Sequence, residues 1–424
     1  MSAVSELVAR WHIGRIHPTP DVEPDGWSLE RLCDIARLES GHTPSRNRPD
    51  YWNGEIPWLS LHDSKTIEGK SLFNTTMTIS ALGLANSSAR LLPAGTVALS
   101  RTATIGKVAI LGREMATSQD FACYVCGPRL LNSYLAHLFR AMEVEWGRLM
   151  AGSTHNTIYM PTFENMQILV PPLKEQEAIA EALSDADALI EGLERLIDKK
   201  RSIKQGAMQD LLTGKRRLPG FSGEWRTLKV GDFLKFKNGL NKAKSFFGHG
   251  TPIVNYMDVF NGRNLTKANI SGKVNVTAAE IFAYGVRDGD VLFTRTSETP
   301  DEVGLSAVAE SVDPRTVFSG FVLRGRPQND LITRSCSKYC FRSEAVRKQI
   351  IASATYTTRA LTNGRQLSKV EVTVPRDPDE QNAIATALDD MKAEIQAIET
   401  RLEKARQVKE GMMQKLLTGR VRLA

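Results

Sequence analysis

EQEAIAEALSDADALIEGLERLIDKKRSIKQGAMQDLLTGKRRL occupies residues 175–218, and EQNAIATALDDMKAEIQAIETRLEKARQVKEGMMQKLLTGRVRL occupies residues 380–423. The offset is 205 residues (380 − 175), and 23 of the 44 aligned positions are identical. That exceeds chance by a wide margin, so the chain carries an internal duplication. In the first copy apolar side chains fall at Ile179, Leu183, Ala186, Ile190, Leu193 and Ile197. In the second they fall at Ile384, Leu388, Met391, Ile395, Ile398 and Leu402. Both series step by 4, 3, 4, 3, 4, the spacing of a coiled-coil seam. Pro172 and Pro378 mark the helix entries, and Gly214 and Gly419 stand where left-handed C-terminal glycines are expected. Each helix then runs for about 39 residues, roughly 58 Å at 1.5 Å per residue.

Charge sets the direction of pairing. Residues 174–198 hold two basic and eight acidic groups (net −6), whereas 199–218 hold seven basic and one acidic (net +6). Residues 375–403 hold three basic and eight acidic (net −5), and 404–424 hold six basic and one acidic (net +5). A parallel pair would set acid beside acid, while an antiparallel pair matches each acidic half to a basic half. Compensation of the helix dipole explains the ends but not an imbalance sustained over several turns. The sequence therefore predicts an antiparallel coiled coil with a pseudo-twofold axis.

Outward from these helices, each copy closes a longer unit that opens on a tryptophan: DGWSLERL at 25 and GEWRTLKV at 223. The intervening segments are only distantly alike, as in LLPAGTVALSRTATIGKVAIL at 91 and GVRDGDVLFTRTSETPDEVGLSAVA at 285. The layout is an N-terminal extension (1–24), a variable domain (25–170), a constant helix (171–218), a second variable domain (219–374) and a second constant helix (375–424). Runs such as FACYVC and DVLFTR read as strands, and NSYLAHLFRAMEVEWGRLM and SEAVRKQIIAS as helices, so the variable domains are mixed α/β. The predicted molecule is two globular heads held apart by a rod.

A chain of 424 residues, 42% apolar and 24% charged, suits a soluble protein of two to four domains. No stretch approaches eighteen consecutive apolar residues, and the N-terminus shows no apolar signal-peptide core, so a cytoplasmic location is expected. Five scattered cysteines point to reduced thiols. The net charge is +7. Residues 25–170 hold 13 basic and 13 acidic groups, whereas 219–374 hold 22 and 14, so the excess lies in the second head.

Each head carries loops rich in Ser, Thr, Asn, His and Arg, side chains suited to phosphates and base edges. The candidate DNA contacts are Thr43, Ser45, Arg46, His62, Arg101, Thr104 and Asn156 in the first head. In the second they are Lys242, Lys244, Tyr256, Arg295, Ser297, Tyr356 and Arg359. The alternative for each is an ordinary solvated loop residue. No catalytic residue emerges. The amino-methyltransferase motif, the phosphate-binding loop and a nuclease metal signature are all missing from the sequence. Cys123 and Cys126 would face opposite sides of a strand, which argues against a metal site. His155 reads as a polar loop residue.

Two divergent domains, each followed by an E-Q-x-x-I helix ending LLTG, resemble the specificity subunit of type I restriction–modification systems, which act in phage defence. The resemblance covers nearly the whole chain, with one extra residue before Glu380. It implies two target recognition domains, each reading half of a bipartite DNA sequence, and an antiparallel spacer that fixes the gap. It also implies two methyltransferase subunits and restriction subunits as partners, with S-adenosylmethionine, Mg and ATP held there and no cofactor in this chain. The alternatives are a self-contained DNA-modifying enzyme with degenerate motifs, or a paired-head scaffold that binds no DNA.

Overall fold

The computed structural model describes residues 23–65, 67, 71–150, 156–262, 264–356 and 358–423. The N-terminal extension and His155 therefore fall outside it, save for the two residues before Asp25. The chain divides into two compact units: residues 1–194 with 400–424, and residues 195–399. Each unit thus owns one head, the first half of one constant helix and the second half of the other.

The long helices are Leu173–Leu212 (α1, 40 residues) and Pro378–Leu416 (α2, 39 residues). Both end as their sequence predicts. Gly214 (φ 71°) and Gly419 (φ 67°) adopt the left-handed conformation that a side chain disfavours. Just before them, Thr213 donates to the Gln209 carbonyl and Thr418 to the Gln414 carbonyl, each at 2.6 Å.

Within the first unit, Glu175 pairs with Arg422, Asp187 with Lys409 and Glu194 with Arg406. Within the second, Lys200 pairs with Glu394, Arg201 with Glu399 and Arg217 with Glu380. As the first partner advances from Glu175 to Glu194, its mate runs back from Arg422 to Arg406, and as it advances from Lys200 to Arg217, its mate runs back from Glu394 to Glu380. The helices are therefore antiparallel, acidic half against basic half. Ile179, Leu183, Leu193 and Leu402 are buried in the first unit, and Ile197, Ile384, Leu388 and Ile395 in the second. Ile190, Met391 and Ile398 are half-buried on the same seam. The leucines of LLTG extend the cores: Leu416 and Leu417 join that of the first head, and Leu211 and Leu212 cluster with Ile384 and Leu388.

The two heads share a strand order despite their divergent sequences. The first has a five-stranded sheet in the order Ala36–Ser40, Phe121–Cys126, Val97–Ser100, Val108–Leu111, Ser71–Leu72. The second repeats its first four members as Leu234–Asn238, Val322–Pro327, Val291–Thr294, Ser306–Val308. Each also has a three-stranded sheet, centred on Trp52–Leu59 or Phe247–Val254. In each, an antiparallel pair joins the opening strand to the strand that feeds the long helix: Ser28–Arg31 with Gln167–Val170, and Trp225–Lys229 with Glu371–Pro375. Helix Asn132–Ala141 packs on the first sheet through Tyr134, Leu135 and Phe139. Cys123 and Cys126 face different cores, as their spacing requires, and burial pushes both thiols up to about 12. Among the described residues no helix is long and apolar enough to cross a membrane.

The repeated Glu–Gln pair joins head to helix. Gln176 donates to the Arg129 and Pro171 carbonyls and accepts from the Leu131 amide. Gln381 donates to the Leu331 and Pro375 carbonyls and accepts from the Thr333 amide. The neighbouring glutamates grip the tail of the opposite constant segment. Arg422 makes a two-pronged pair with Glu175 (2.6 and 2.7 Å) while its guanidinium lies over Trp27. Arg217 does the same with Glu380 (2.5 and 2.6 Å) over Trp225.

Candidate nucleic-acid interface

In each head a glycine closes the first strand of the large sheet, and the chain then crosses a neighbouring strand at close range. A Cβ on Gly41 would lie 1.9 Å from the Thr117 carbonyl oxygen, and one on Gly239 would lie 2.0 Å from that of Ser319. Only glycine permits this approach. The crossing sends residues 42–51 and 240–246 out as loops beside the ends of the central strands.

In the first head four loop segments are tied together there. Thr43 donates to the Gln119 side chain at 2.6 Å. Arg101 donates through Nε to the Gln119 carbonyl (2.9 Å) and through Nη1 to the Ile158 carbonyl (3.2 Å). Thr102 donates to Asp120, and the Ala103 amide to the Asn156 carbonyl. Ala103 has a positive φ of 53°, so the turn carrying Thr104 is a constrained one. Thr43, Arg101, Thr104 and Asn156 thus converge around Gln119 and Asp120. Thr104 and Asn156 are exposed, whereas Arg101 is half-buried and already spends donors on two carbonyls. Its first task is to hold the loops in place.

Ser45 and Arg46 are exposed on the 42–51 loop. Trp52 fixes them: its Nε1 donates to the Ser45 carbonyl (3.1 Å), and the Arg46 guanidinium lies 5.5 Å from its ring centre. Trp52 in turn meets Trp58 edge-on at 5.1 Å. His62 is exposed on a turn anchored by the buried Asp63, which accepts from the Ser60 and Thr76 amides.

The second head distributes its candidates differently. Lys242 is half-buried, paired with Glu280 at 2.9 Å and set over the Phe246 ring. Its charge is neutralised inside the head, so it tethers the loop. Lys244 is exposed. Ser297 is buried and donates to Glu302 at 2.6 Å, so it shapes the loop from within and offers no free hydroxyl. Arg295 resembles Arg101: its Nη1 donates to the Gly320 carbonyl (3.3 Å), and its backbone bonds to Phe321 and Thr362. Tyr356 is 61% exposed on a short hairpin, and Arg359 reaches Glu298 at 3.8 Å. A cleft of ≈ 330 Å³ opens beside Ser297, Glu298 and Arg359. Tyr256, stacked on Phe260, lines it with Met257, Phe321, Arg359 and Glu298. The aromatic surfaces can stack a base, Arg359 can meet guanine or phosphate, and Glu298 can accept from cytosine.

Gln119, Asp120, Trp52, Phe321 and Glu298 belong to these surfaces although the loop composition did not single them out. The polar run SQD at 118–120, between two strands, is the sequence signal for the first pair. Among the described residues no group of three or more His, Cys, Asp or Glu side chains could hold a metal ion.

Residues 24–199 match the profile of the type I restriction modification DNA specificity domain. The chain is 24% identical to the type I restriction enzyme MjaIX specificity subunit of Methanocaldococcus jannaschii, covering 67% of this chain and 69% of that one. It is 22% identical to the EcoKI specificity subunit of Escherichia coli, covering 73% and 70%. Among solved structures, the type I S subunit of M. genitalium superposes with a TM-score of 0.55 at 12% identity, covering 96% of this chain and 98% of that one. The duplicated helices, the shared strand order and the matched domain point the same way: residues 24–199 match a type I restriction modification DNA specificity domain, and over two thirds or more of its length the chain is similar to specificity subunits of type I restriction enzymes.

Proposed function

We propose that this chain reads a bipartite DNA target, each head binding one half-site, and that it scaffolds the methyltransferase and restriction subunits of a type I enzyme. The observation that carries the reading is the DNA specificity domain at 24–199, followed by a second head of the same strand order. In this family the specificity chain is the non-catalytic component of the complex. Sequence is read by exposed side chains on rigid loops, here Arg46, His62, Thr104 and Asn156 in one head and Lys244, Tyr356 and Arg359 in the other. Arg101 and Arg295 hold those loops and present their remaining donors. The +8 balance of residues 219–374 (22 − 14) supplies the larger share of phosphate attraction.

Two methyltransferase subunits docked on the constant helices complete the modification enzyme, and restriction subunits join for cleavage. Within the second unit, Leu196 and Ile203 remain exposed on α1 one heptad apart, which suits docking of a partner. S-adenosylmethionine, Mg and ATP belong to those partners in this reading, and the setting is the cytoplasm.

Mapping methylated adenines across the host genome, with and without this gene, tests the proposal. A bipartite motif that vanishes with the gene is the expected result. An unchanged methylation pattern, in cells shown to make the partner subunits, would overturn it.

A further inference from the structure

The duplication makes its own departures visible. In the first unit, Asp187 and Lys409 form an ion pair between the two constant helices. The offset of 205 carries Asp187 onto Lys392 and Lys409 onto Lys204. The second unit therefore sets one ammonium against another where the first sets acid against base.

Lys204 and Lys392 are half-buried, and neither forms an ion pair or hydrogen bond among the described residues. Both line a cleft of ≈ 580 Å³ bounded by α1, α2 and the segment around Arg342. Arg342, half-buried in the same wall, donates to the Ser306 carbonyl at 2.7 Å and has no carboxylate partner among the described residues. The acids nearby are engaged elsewhere: Glu399 with Arg201, Glu344 with Lys348, and Asp389 with Lys338 and Tyr339. Burial, with Lys392 and then Arg342 beside it, pushes the Lys204 ammonium below its ordinary range, against the weaker pull of Asp389. Among the described residues, three cations thus share a cleft with no free counter-charge, whereas the duplicate unit balances the corresponding positions with Asp187 and Lys409.

We propose that this cleft is a binding site for a phosphate-bearing anion. Three positive groups exceed what one carboxylate can neutralise, but they match a doubly or triply charged phosphate group. Two ammonium point charges and one planar guanidinium fork suit its oxygens. The volume lies in the range of small-ligand sites, and Met208 and Ile395 in the wall offer apolar surface to the remainder of the ligand. The phosphate can come from a free pyrophosphate-bearing molecule or from a DNA backbone. The inference stands on charge and geometry alone and holds whether or not the heads read DNA.

Calorimetric titration of the full chain with sodium pyrophosphate tests it, comparing the wild type with Lys392→Asp and Lys204→Met. Lys392→Asp recreates the acid–base pair of the first unit, so the unliganded variant should melt no lower than the wild type while its pyrophosphate affinity falls at least about tenfold. Lys204→Met removes one cation without adding an acid and should weaken binding in the same direction. Competition with a 20-base-pair duplex separates the sources. Displacement of pyrophosphate by the duplex identifies the DNA backbone, and simultaneous binding identifies a free small molecule. No heat from the wild type up to about 10 mM pyrophosphate, or equal affinity in all three proteins, would overturn the proposal.

Discussion

His137 is held neutral inside the first head. Its Nε2 lies 3.1 Å from the Ser184 hydroxyl, and its Nδ1 is buried without a partner. Burial first, then Arg140 and Lys409 against the opposing pull of Asp187, brings its pKa down to about 4. In the unfolded chain the ring takes a proton near pH 6.5. Between those values the unfolded state binds more protons, so the histidine's contribution is intact above pH 6.5 and fades as pH falls toward 4. The loss amounts to about 3 kcal/mol at most. Urea denaturation at pH 7.5 and 4.5 should show a steeper acid loss for wild type than for His137→Gln, and parallel curves would refute the assignment. At the interface, Arg46→Ala should cost about 1–3 kcal/mol in target binding if the guanidinium reads a base. Replacing Arg101 and Arg295 together should weaken binding further, since each also clamps loops. Unchanged affinity in a filter-binding titration would exclude these loops as the reading surface. Composition alone led to Arg46, Thr104 and Asn156, and the fold leaves all three near or at the surface. It could not reveal that Ser297 turns inward or that Lys242 is neutralised by Glu280, because both outcomes depend on partners placed by the fold.

At the scale of the helix, heptad spacing and charge halves were enough to read both length and direction. LLTG was readable as a stop because its glycine takes the same left-handed conformation in both copies. The meaning of the preceding Glu–Gln pair was not readable. Glu175 meets Arg422 across 247 residues and Glu380 meets Arg217 across 163, and neither contact has a local signature. Strands of the heads could be found by alternation, but their order rests on pairings between distant segments. Glu380 is fully buried, so Arg217→Met should strand its carboxylate and cost about 3 kcal/mol. Adding Glu380→Gln should recover much of that loss. A double variant no more stable than the single one would mean that the pair is not the source of the effect.

For the whole molecule, the proposal that each head reads one half-site makes the constant segments responsible for the gap between them. One helical turn is about 5.4 Å, and duplex DNA rises about 3.4 Å per base pair. A four-residue insertion after Thr213 should therefore lengthen the preferred spacer by about one base pair and leave both half-site sequences unchanged. Methylome mapping of the insertion variant reads both properties at once. An altered half-site, or an unaltered spacer at full activity, would separate the helices from that role.

The Gln176 and Gln381 joints touch their heads only through main-chain amides and carbonyls. Such a socket asks for a backbone path and ignores side-chain identity. A foreign head would therefore keep the glutamine socket and would still need its own mate for Ser184 on the first helix or Asp389 on the second, where His137 and Tyr339 now sit.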